Sequence, residues 1–531
     1  MRAWWVLGAI VVLALALRLW HLDHGLPYAY NADEELHFVP VAVKMFGGSL
    51  NPRYFENPPA LTYLLFLVFK LRFGFGRDLI AQFRADPEAA YLTARVVVAL
   101  IGTLVVGLVY WAGARFSDRR AGLAAAALMA VAFLPVFYSK HALNDVVTMA
   151  PITVALVACL LVYEQGRWGH WVLAGAAIGV AIATKYTAGA MLVTLGVAAV
   201  LRVLADRAEL RRALLGLVAA GAACAIAFAL LNPFAIIEHS TALGQIGGQS
   251  GQAASGKLGQ DQVTGWWYYL RTFTWGLGWV PAVAAVAGGV LMLWRDWRRG
   301  LLLVAFPLFL FLFLGHEARF FGRWLLPAYP ALCVLAGYAV WVAAEQLHTP
   351  RAQTGVLVVL VVALCAQGLV SSVHLDRVLG REDTRAQAKR WLEDHVPARA
   401  GVAIEPFVPA DYLRRGPAAT LDWRRYPVKR PFQAYEKKLR PARVERYLRD
   451  GYCWVVVGSY QKGRGLKAGL RNARAYYAAL DAASDRTETI SPYREGAKPV
   501  PFSYDKSFNY QPRAYQRPGP LIEIHHLRGC S

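Results

Sequence analysis

Three consecutive carboxylates, Asp33, Glu34 and Glu35, open a polar stretch, YNADEELHFVPVAVKMFGGSLNPRYFENPP, which follows the first apolar segment of the chain. Ionisable groups are costly at membrane depth and usually belong to a functional site or a water-filled cavity. A solvated loop between two membrane spans is the simpler interpretation of the same residues. A carboxylate near neutral pH can accept the proton of an attacking hydroxyl, so general-base chemistry is our first hypothesis.

Further polar residues that could complete such a site also lie next to apolar segments. They are Glu56 and Asn57 in FENPP, His141 and Asp145 in SKHALNDV, Lys185 in ATKYTAG, and His316, Arg319 and Arg323 in GHEARFFGRWLLP. Fixed cations can neutralise a departing phosphate, and preorganised groups of this kind contribute about 3 kcal/mol each. The mixture of carboxylates and cations therefore predicts group transfer from a phosphate-linked donor.

Most of these residues also have a structural interpretation. Lys185 could extend from a helix end towards water, and Asp145 could cap the helix that follows it. Arg319 and Arg323 could anchor a helix at the membrane interface. A single histidine is more often structural than catalytic, so the sequence leaves both interpretations open.

A divalent cation is the competing use of the same acidic residues. Asp33, Glu34, His37, Asp145 and Glu317 offer suitable ligands, with the carboxylates as hard oxygen donors. The consecutive acidic residues lack the DxD spacing of many metal-dependent glycosyltransferases, and no Cys or His spacing indicates a zinc site. We predict no metal ligands and no certain cofactor, and a divalent cation stays open as a hypothesis.

The composition is that of a membrane protein. The 531 residues are 56% hydrophobic and only 17% charged, whereas soluble domains are about 45–50% apolar and about 25% charged. More than half of the net charge of +22 lies from Asp376 onward. This basic charge favours contact with anionic membrane lipids or an acidic substrate. Since no nucleic-acid-binding motif accompanies it, we expect no nucleic acid partner.

Apolar runs near the ~20 residues needed to cross a bilayer define the predicted topology. They are residues 3–20, 91–114, 120–138, 147–163, 170–184, 187–205, 211–231, 272–294, 300–316, 323–345 and 354–374. The run 58–73 is shorter and either crosses or lies at the interface. If it does not cross, the basic loops 115–120, 206–212 and 295–299 all face the cytoplasm, as the positive-inside rule favours. We therefore expect about eleven transmembrane helices.

This topology predicts a multi-pass plasma-membrane protein with a cytoplasmic N-terminus. Residues 1–375 would form the transmembrane domain, and the candidate site residues would lie on its extracytoplasmic side. Residues 376–531 would form a small extracytoplasmic α/β domain, with a helix ending before Pro397 and strands in GVAIE, GYCWVVVG and LIEIHHL. Cys453 and Cys530 could pair there.

The loop of residues 232–270 is rich in Gly, Gln and Ser in its middle part. Such a composition buries little apolar surface, so we expect this loop to be mobile. A lid over a polar site and a simple linker are about equally compatible with it.

Several motifs resemble one family when they are taken in their order along the chain. The acidic pair after the first helix, FENPP, SKHALNDV, GxAIATKYTAG and RFFGRWLLPAYP resemble the GT-C glycosyltransferases that use polyprenyl-phosphate sugars. Within these the chain is most similar to the family-39-like branch of protein O-mannosyltransferases and lipid A aminoarabinose transferases. The resemblance covers about the first 375 residues, with a further likeness in DTR…AKRWLEDHVP and YCWVVVGSY.

The resemblance implies roles for the acidic residues. Asp33 matches the catalytic base of the first extracytoplasmic loop, with Glu34 beside it, and Asp145 matches the second acidic position. The chain departs from the family at Asn57, where the aminoarabinose branch carries a lysine and the mannosyltransferases a histidine.

The resemblance also implies the fold, the partners and the reaction. Lys185, Arg319 and Arg323 match basic positions that can face the lipid phosphate. The expected reaction moves a sugar from a polyprenyl-phosphate donor to a hydroxyl of a glycan, lipid or protein acceptor, with inversion at the anomeric carbon.

Two other function classes are compatible with the sequence. A transporter or flippase of a lipid-linked glycan would bind its substrate without reacting, although the chain has no internal repeat. A structural partner of a cell-envelope assembly would use the basic C-terminal region and would tolerate replacement of Asp33.

Overall fold

The computed structural model describes residues 2–409, 412–413, 422–425, 435–507 and 509–530. The chain divides into two compact units. The membrane unit comprises Met1–Leu22, Asn31–Ser255 and Val263–Val373, and the C-terminal unit comprises Asp23–Tyr30, Gly256–Gln262 and His374–Ser531. Two short segments from the first 375 residues thus fold with the C-terminal region.

The membrane unit is built from apolar helices, as predicted for a polytopic helical protein. Among the described residues, eight helical stretches are long and apolar enough to cross a membrane, and Trp4–Leu19 and Trp168–Thr184 are shorter apolar helices. The principal α-helices are Arg2–Leu19, Glu88–Phe116, Asn144–Gln165, Trp168–Thr184, Met191–Ala205, Leu210–Leu231, Gly265–Thr272, Trp279–Arg295, Trp297–His316, Tyr329–Glu345 and Pro350–Leu379.

Shorter helical pieces connect them. The α-helical pieces are Val39–Lys44, Ala60–Phe73, Asp78–Ala85, Arg119–Val131, Phe133–Tyr138, Pro233–Ile237 and His239–Ala253. The 3₁₀ turns are Met45–Gly47, Tyr186–Ala190, Arg207–Glu209 and Gly322–Ala328, and the π-helical turns are Glu34–Phe38 and Phe273–Gly278.

The predicted span 120–138 is interrupted at Ala132, which has extended backbone between Arg119–Val131 and Phe133–Tyr138. The last carbonyls of a helix lack partners within it. The buried Arg18 side chain donates to two of them, Met129 O at 3.1 Å and Ala130 O at 3.0 Å. A buried cation therefore satisfies the helix end that this break creates.

The open question of residues 58–73 is addressed by helix length. The helix Ala60–Phe73 has 14 residues, which corresponds to about 21 Å. The hydrocarbon core of a bilayer is about 30 Å thick. This helix is therefore shorter than the hydrocarbon core, which favours the interpretation that it lies at the interface.

The prediction of a loop is wrong for residues 239–253, which form the α-helix His239–Ala253. We call it the glutamine helix. Its glycines disfavour a helix, but Gln245, Gln249 and Gln252 recur at helical spacing and share one face. Their contacts, described below, compensate for the weak helix propensity.

The C-terminal unit contains a five-stranded mixed sheet in the order β2-β1-β3-β5-β4. The strands are Gly401–Ile404, Asp422–Arg425, Tyr452–Gly458, Ser484–Ile490 and Ile522–Leu527, numbered β1 to β5. Strand β1 is parallel to β2 and β3, whereas β5 is antiparallel to β3 and β4. The predicted strands in GVAIE, GYCWVVVG and LIEIHHL correspond to β1, β3 and β5.

Helices pack on both faces of this sheet because the side chains alternate in direction along each strand. Val402 and Ile404 join a core that includes Leu392 of the helix Thr384–His395. Ala403 joins a second core with Val444 and Leu480, from the helices Ala442–Arg449 and Arg471–Ala483. The remaining α-helix of the unit is Ser459–Lys467, with a 3₁₀ turn at Glu436–Lys438. The small α/β domain predicted from the sequence is confirmed.

The predicted pairing of two cysteines is also found. Cys453 in strand β3 and Cys530 form a disulfide with a Cα–Cα distance of 5.7 Å. It closes a loop of 77 residues, so it restricts the unfolded state of this unit and stabilises it by about 4 kcal/mol.

Candidate active site

Asp33 precedes a rare local structure. The backbone N–H groups of Asp33 and Glu34 donate to Asn31 Oδ1 at 3.1 and 3.4 Å, so Asn31 caps the helical stretch that follows. The first turn of this stretch is the π-helix Glu34–Phe38, and π-turns are frequent at functional sites. Asp33 Oδ1 lies 3.9 Å from His37 Nε2, so both side chains occupy one side of the turn.

A cluster of two acids and two cations is assembled around Asp33. Arg323, from the 3₁₀ segment Gly322–Ala328, donates to Asp33 Oδ2 through Nη2, and its Nε lies 4.0 Å from Asp145 Oδ2. Lys185 donates to the other oxygen of Asp145. We call Asp33, Asp145, Lys185 and Arg323 the ion cluster. The structure thus brings together four residues that are distant in sequence.

Exposure differs strongly within the ion cluster. The side chain of Asp33 is 32% exposed, whereas that of Asp145 is only 3% exposed. Asp145 lies in the first turn of Asn144–Gln165, but its side chain makes no cap contact there and binds the two cations instead. Asp33 is therefore the more accessible carboxylate of the cluster, and Asp145 contacts both cations.

Aromatic and amide groups from the first loop border Asp33. The ring of His37 stacks on Tyr54, with 4.4 Å between the centroids and an angle of 4° between the planes. Asn57 Nδ2 donates to Tyr54 Oη at 2.7 Å. Burial lowers the pKa of His37 below its ordinary value despite the nearby carboxylates, so this imidazole is neutral at neutral pH. Asn57 thus supports the tyrosine.

The glutamine helix contacts two further site candidates. Gln249 Nε2 donates to Glu56 Oε2 at 2.7 Å, and Arg319 Nη1 donates to Gln252 Oε1 at 3.0 Å. Phe55 N donates to Gln245 Oε1 at 2.6 Å. These glutamines were not among the residues predicted from the sequence, although their spacing of four and three residues in a polar loop was the available signal.

Glu34 lies outside the ion cluster. Its side chain is fully buried, and Arg95 donates to both oxygens, from Nε at 2.8 Å and from Nη2 at 2.9 Å. Ala142 N also donates to Oε1 at 2.9 Å. Burial alone would raise the pKa of Glu34, but the Arg95 guanidinium and these hydrogen bonds hold it below its ordinary value. These contacts favour a structural role over the catalytic role that the resemblance implied.

The two histidine candidates are not brought to Asp33 by the described contacts. His141 is buried, its Nδ1 lies 3.2 Å from Phe137 O, and burial lowers its pKa to about 4. It is therefore a neutral structural side chain beside Glu34. His316 is exposed at the end of the helix Trp297–His316.

Three of the acidic residues that were considered as metal ligands pair with arginines, Asp33 and Asp145 with Arg323 and Glu34 with Arg95. Within the described ranges, no group of three or more His, Cys, Asp or Glu side chains is placed to hold a metal ion. Asp33 and Asp145 share the Arg323 guanidinium. A divalent cation at this site therefore stays a hypothesis.

Comparisons with known proteins agree with this architecture. Residues 88–236 match the model of the dolichyl-phosphate-mannose-protein mannosyltransferase family. This segment contains Asp145 and Lys185, whereas Asp33 and Arg323 lie outside it. No curated protein matches the sequence at a significant level.

Solved structures show the same fold. The archaeal oligosaccharyltransferase AglB from Archaeoglobus fulgidus, in complex with an inhibitory peptide and a dolichol-phosphate, has a TM-score of 0.60 at 13% identity. That match covers 93% of this chain and 73% of AglB. ArnT from Cupriavidus metallidurans bound to undecaprenyl phosphate has a TM-score of 0.54 at 17% identity, over 97% of this chain and 98% of ArnT.

An A. fulgidus oligosaccharyltransferase in complex with Zn and sulfate has a TM-score of 0.51 at 14% identity, over 90% of this chain and 71% of that protein. The chain is therefore a multi-pass membrane protein with the GT-C fold, which confirms the fold that the resemblance of its sequence motifs implied.

Proposed function

We propose that this protein is an inverting glycosyltransferase that moves a sugar from a polyprenyl-phosphate donor to a hydroxyl acceptor at the extracytoplasmic face of the plasma membrane. The observation that carries the proposal is the ion cluster. It combines one accessible carboxylate, Asp33, with the cations Arg323 and Lys185 on a GT-C fold. A base and a site for a charged leaving group are the two elements that this transfer needs.

The reaction follows from these positions. Asp33 accepts the proton of the acceptor hydroxyl, and the hydroxyl oxygen attacks the anomeric carbon of the donor sugar. The bond from that carbon to the phosphate oxygen breaks, and the electron pair leaves with the polyprenyl phosphate. Arg323 and Lys185 offset the charge of this leaving group, while Asp145 keeps both cations oriented. Attack opposite the leaving group inverts the anomeric configuration.

The acceptor and the remaining polar residues complete the proposal. The acceptor is a hydroxyl of a glycan, lipid or protein. Glu56 and Arg319 act as substrate-binding residues together with the glutamine helix, since Gln249 and Gln252 hold their side chains.

The membrane orientation rests on two observations. The arginine-rich loops of residues 115–120, 206–212 and 295–299 favour a cytoplasmic N-terminus under the positive-inside rule, provided that residues 58–73 do not cross. The Cys453–Cys530 disulfide supports an extracytoplasmic C-terminal unit, because disulfides persist in oxidising compartments.

The direct test is sugar transfer by the purified full-length protein in lipid. A set of undecaprenyl-phosphate sugars serves as donors, and extracted cell-envelope glycans, lipids and proteins serve as acceptors. We expect release of undecaprenyl phosphate coupled to acceptor labelling, unchanged by a chelator since the ion cluster supplies its own cations. Donor binding without transfer, across all donors and acceptors, would contradict the proposal and favour transport.

A further inference from the structure

The segment Asp23–Tyr30 ends three residues before Asp33, yet it folds with the C-terminal unit. Tyr28 lies in a core cluster of that unit with Ala388 and Leu392, and Tyr30 packs against the same cluster. The chain returns to the membrane unit at Asn31. A segment that ends three residues before the proposed base is therefore held by the C-terminal unit.

The contact that holds Tyr30 is specific. The guanidinium carbon of Arg385 lies 3.4 Å from the centre of the Tyr30 ring. Such cation–π contacts are strongest when the groups are removed from water, and the Arg385 side chain is only 8% exposed. Arg385 thus presents a flat charged surface to the ring.

Arg385 is itself fixed in this orientation. Its Nε and Nη2 donate to the two oxygens of Asp383 at 2.8 and 2.7 Å, and its backbone N–H donates to Asp383 Oδ1 at 2.8 Å. Asp383 is therefore both the cap of the helix Thr384–His395 and the partner of the guanidinium. A planar guanidinium makes this bidentate pairing and the ring contact together, which lysine does not.

Tyr28 adds a second attachment. Its hydroxyl donates to Tyr412 O at 3.0 Å and accepts a hydrogen bond from Lys389 Nζ at 3.1 Å. The Tyr412 hydroxyl in turn donates to Arg385 O. Both tyrosines of the segment are thus joined to the helix Thr384–His395.

We propose that Tyr30 and Arg385 are positioning residues for Asp33, because their contact holds the chain three residues before the base. The path is short, since Tyr30 precedes Asn31 and Asn31 Oδ1 accepts from Asp33 N and Glu34 N. When the contact of Tyr30 with Arg385 is lost, the chain directly before the Asn31 cap is no longer held. We expect the π-turn Glu34–Phe38 to loosen as a result. The sequence DTR, which includes Asp383 and Arg385, thereby gains a role in the transfer reaction proposed above.

The test compares Tyr30→Leu with Tyr30→Phe and Arg385→Ala with Arg385→Lys in the full-length protein. Amide hydrogen exchange of residues 31–38 measures the positioning directly and needs no activity. We expect Tyr30→Leu and Arg385→Ala to speed this exchange about 10-fold, as the loss of a desolvated cation–π contact implies. Tyr30→Phe keeps the ring and should restore slow exchange, and Arg385→Lys should lie between.

Kinetics supply the second readout. We expect Tyr30→Leu to lower kcat about 10-fold, as for the exchange rate, while the donor KM changes less than about 2-fold. The reason is that positioning acts on the reacting step. The matched control is Lys462→Met, which removes the 2.6 Å contact with Glu523 in the same unit. It should leave the exchange of residues 31–38 and kcat unchanged.

Two outcomes would overturn the proposal: exchange of residues 31–38 that is unaffected in both Tyr30→Leu and Arg385→Ala, or exchange that Lys462→Met speeds equally. If the intact chain transfers no sugar, the proposed function fails, but the exchange data still decide whether Tyr30 and Arg385 hold the loop. The two failures are therefore distinguishable.

Discussion

Asp33 and Glu34 are neighbours in sequence but occupy opposite environments. Asp33 is 32% exposed and shares Arg323 with Asp145, whereas Glu34 is fully buried and accepts two hydrogen bonds from Arg95. Each of the two carboxylates pairs with an arginine, so charge pairing does not distinguish them. Solvent access distinguishes them, because a general base must reach the proton that it removes.

The largest expected effect is the loss of transfer on Asp33→Asn. An amide cannot accept the acceptor's proton, and removal of a general base costs about 1,000-fold in rate. We expect kcat to fall by that factor while donor binding and thermal stability persist, measured by undecaprenyl phosphate release and by thermal unfolding in micelles.

Asp78→Asn is the matched control for this substitution, since Asp78 is an exposed aspartate at the start of the short helix Asp78–Ala85. It should transfer at the rate of the intact chain. Transfer that survives in Asp33→Asn would remove the distinction between the two carboxylates and with it the proposed base.

The second prediction concerns the stability that Glu34 and Arg95 share. Arg95→Met leaves Glu34 buried without its cation, which costs about 3–5 kcal/mol in the free energy of unfolding. Arg95→Met combined with Glu34→Leu removes both charges and should cost less than the single change. Unfolding in denaturing detergent measures both variants, and equal or greater loss in the double variant would contradict the structural role of Glu34.

The third prediction compares Glu34 with Glu405, a buried carboxylate of the C-terminal unit. Glu405 accepts from Tyr435 and Tyr477 at 2.8 Å each and from Gly458 N at 3.2 Å. No arginine donates to it in the described contacts, and burial raises its pKa to about 7. Burial thus leaves the pKa of Glu405 raised, whereas the pKa of the equally buried Glu34 is lowered because a cation lies next to it.

The raised pKa determines the sign of a pH effect. The folded C-terminal unit binds the Glu405 proton more tightly than the unfolded chain, so this stabilisation is complete below about pH 4.5 and is lost as the pH rises through about 7. The loss is about 3 kcal/mol. Proteolysis within residues 435–530 of the intact protein should show this pH dependence, and Glu405→Gln should flatten it. If the rate of proteolysis depends on pH equally strongly in Glu405→Gln, another group causes the pH dependence.

The sequence was sufficient for most of the long apolar helices and for four residues of the candidate site. Apolar length predicted the membrane unit, and the polar residues beside apolar segments included Asp33, Asp145, Lys185 and Arg323, which the structure brings together. The roles of these residues remain predictions. Charged residues beside apolar segments can be recognised in a sequence as site candidates, because charge near a membrane is costly and rarely occurs there without a partner or a function.

What the sequence could not provide was the partner of each charged residue. Arg95 lies inside an apolar run, and nothing in its neighbours indicates that it would bury Glu34. The attachment of Tyr30 to Arg385 joins residues 355 positions apart in the chain numbering. The glutamine helix was assigned to a mobile loop, because glycine content describes local propensity and tertiary contacts override it.

The smallest expected effect concerns the glutamine helix. Here the partner of the carboxylate Glu56 is the neutral amide of Gln249 and not an arginine. Gln249→Ala removes the 2.7 Å hydrogen bond to Glu56, which is worth about 1 kcal/mol or somewhat more because the acceptor is charged. Ser250→Ala, at the next and exposed position of the helix, is the matched control. We expect Gln249→Ala to raise the KM of donor or acceptor about 5-fold, the equivalent of that energy.

If Glu56 contributes only to loop packing, KM will stay constant and stability will fall instead. Because the amide carries no charge, this effect should be independent of salt, in contrast to changes in the ion cluster.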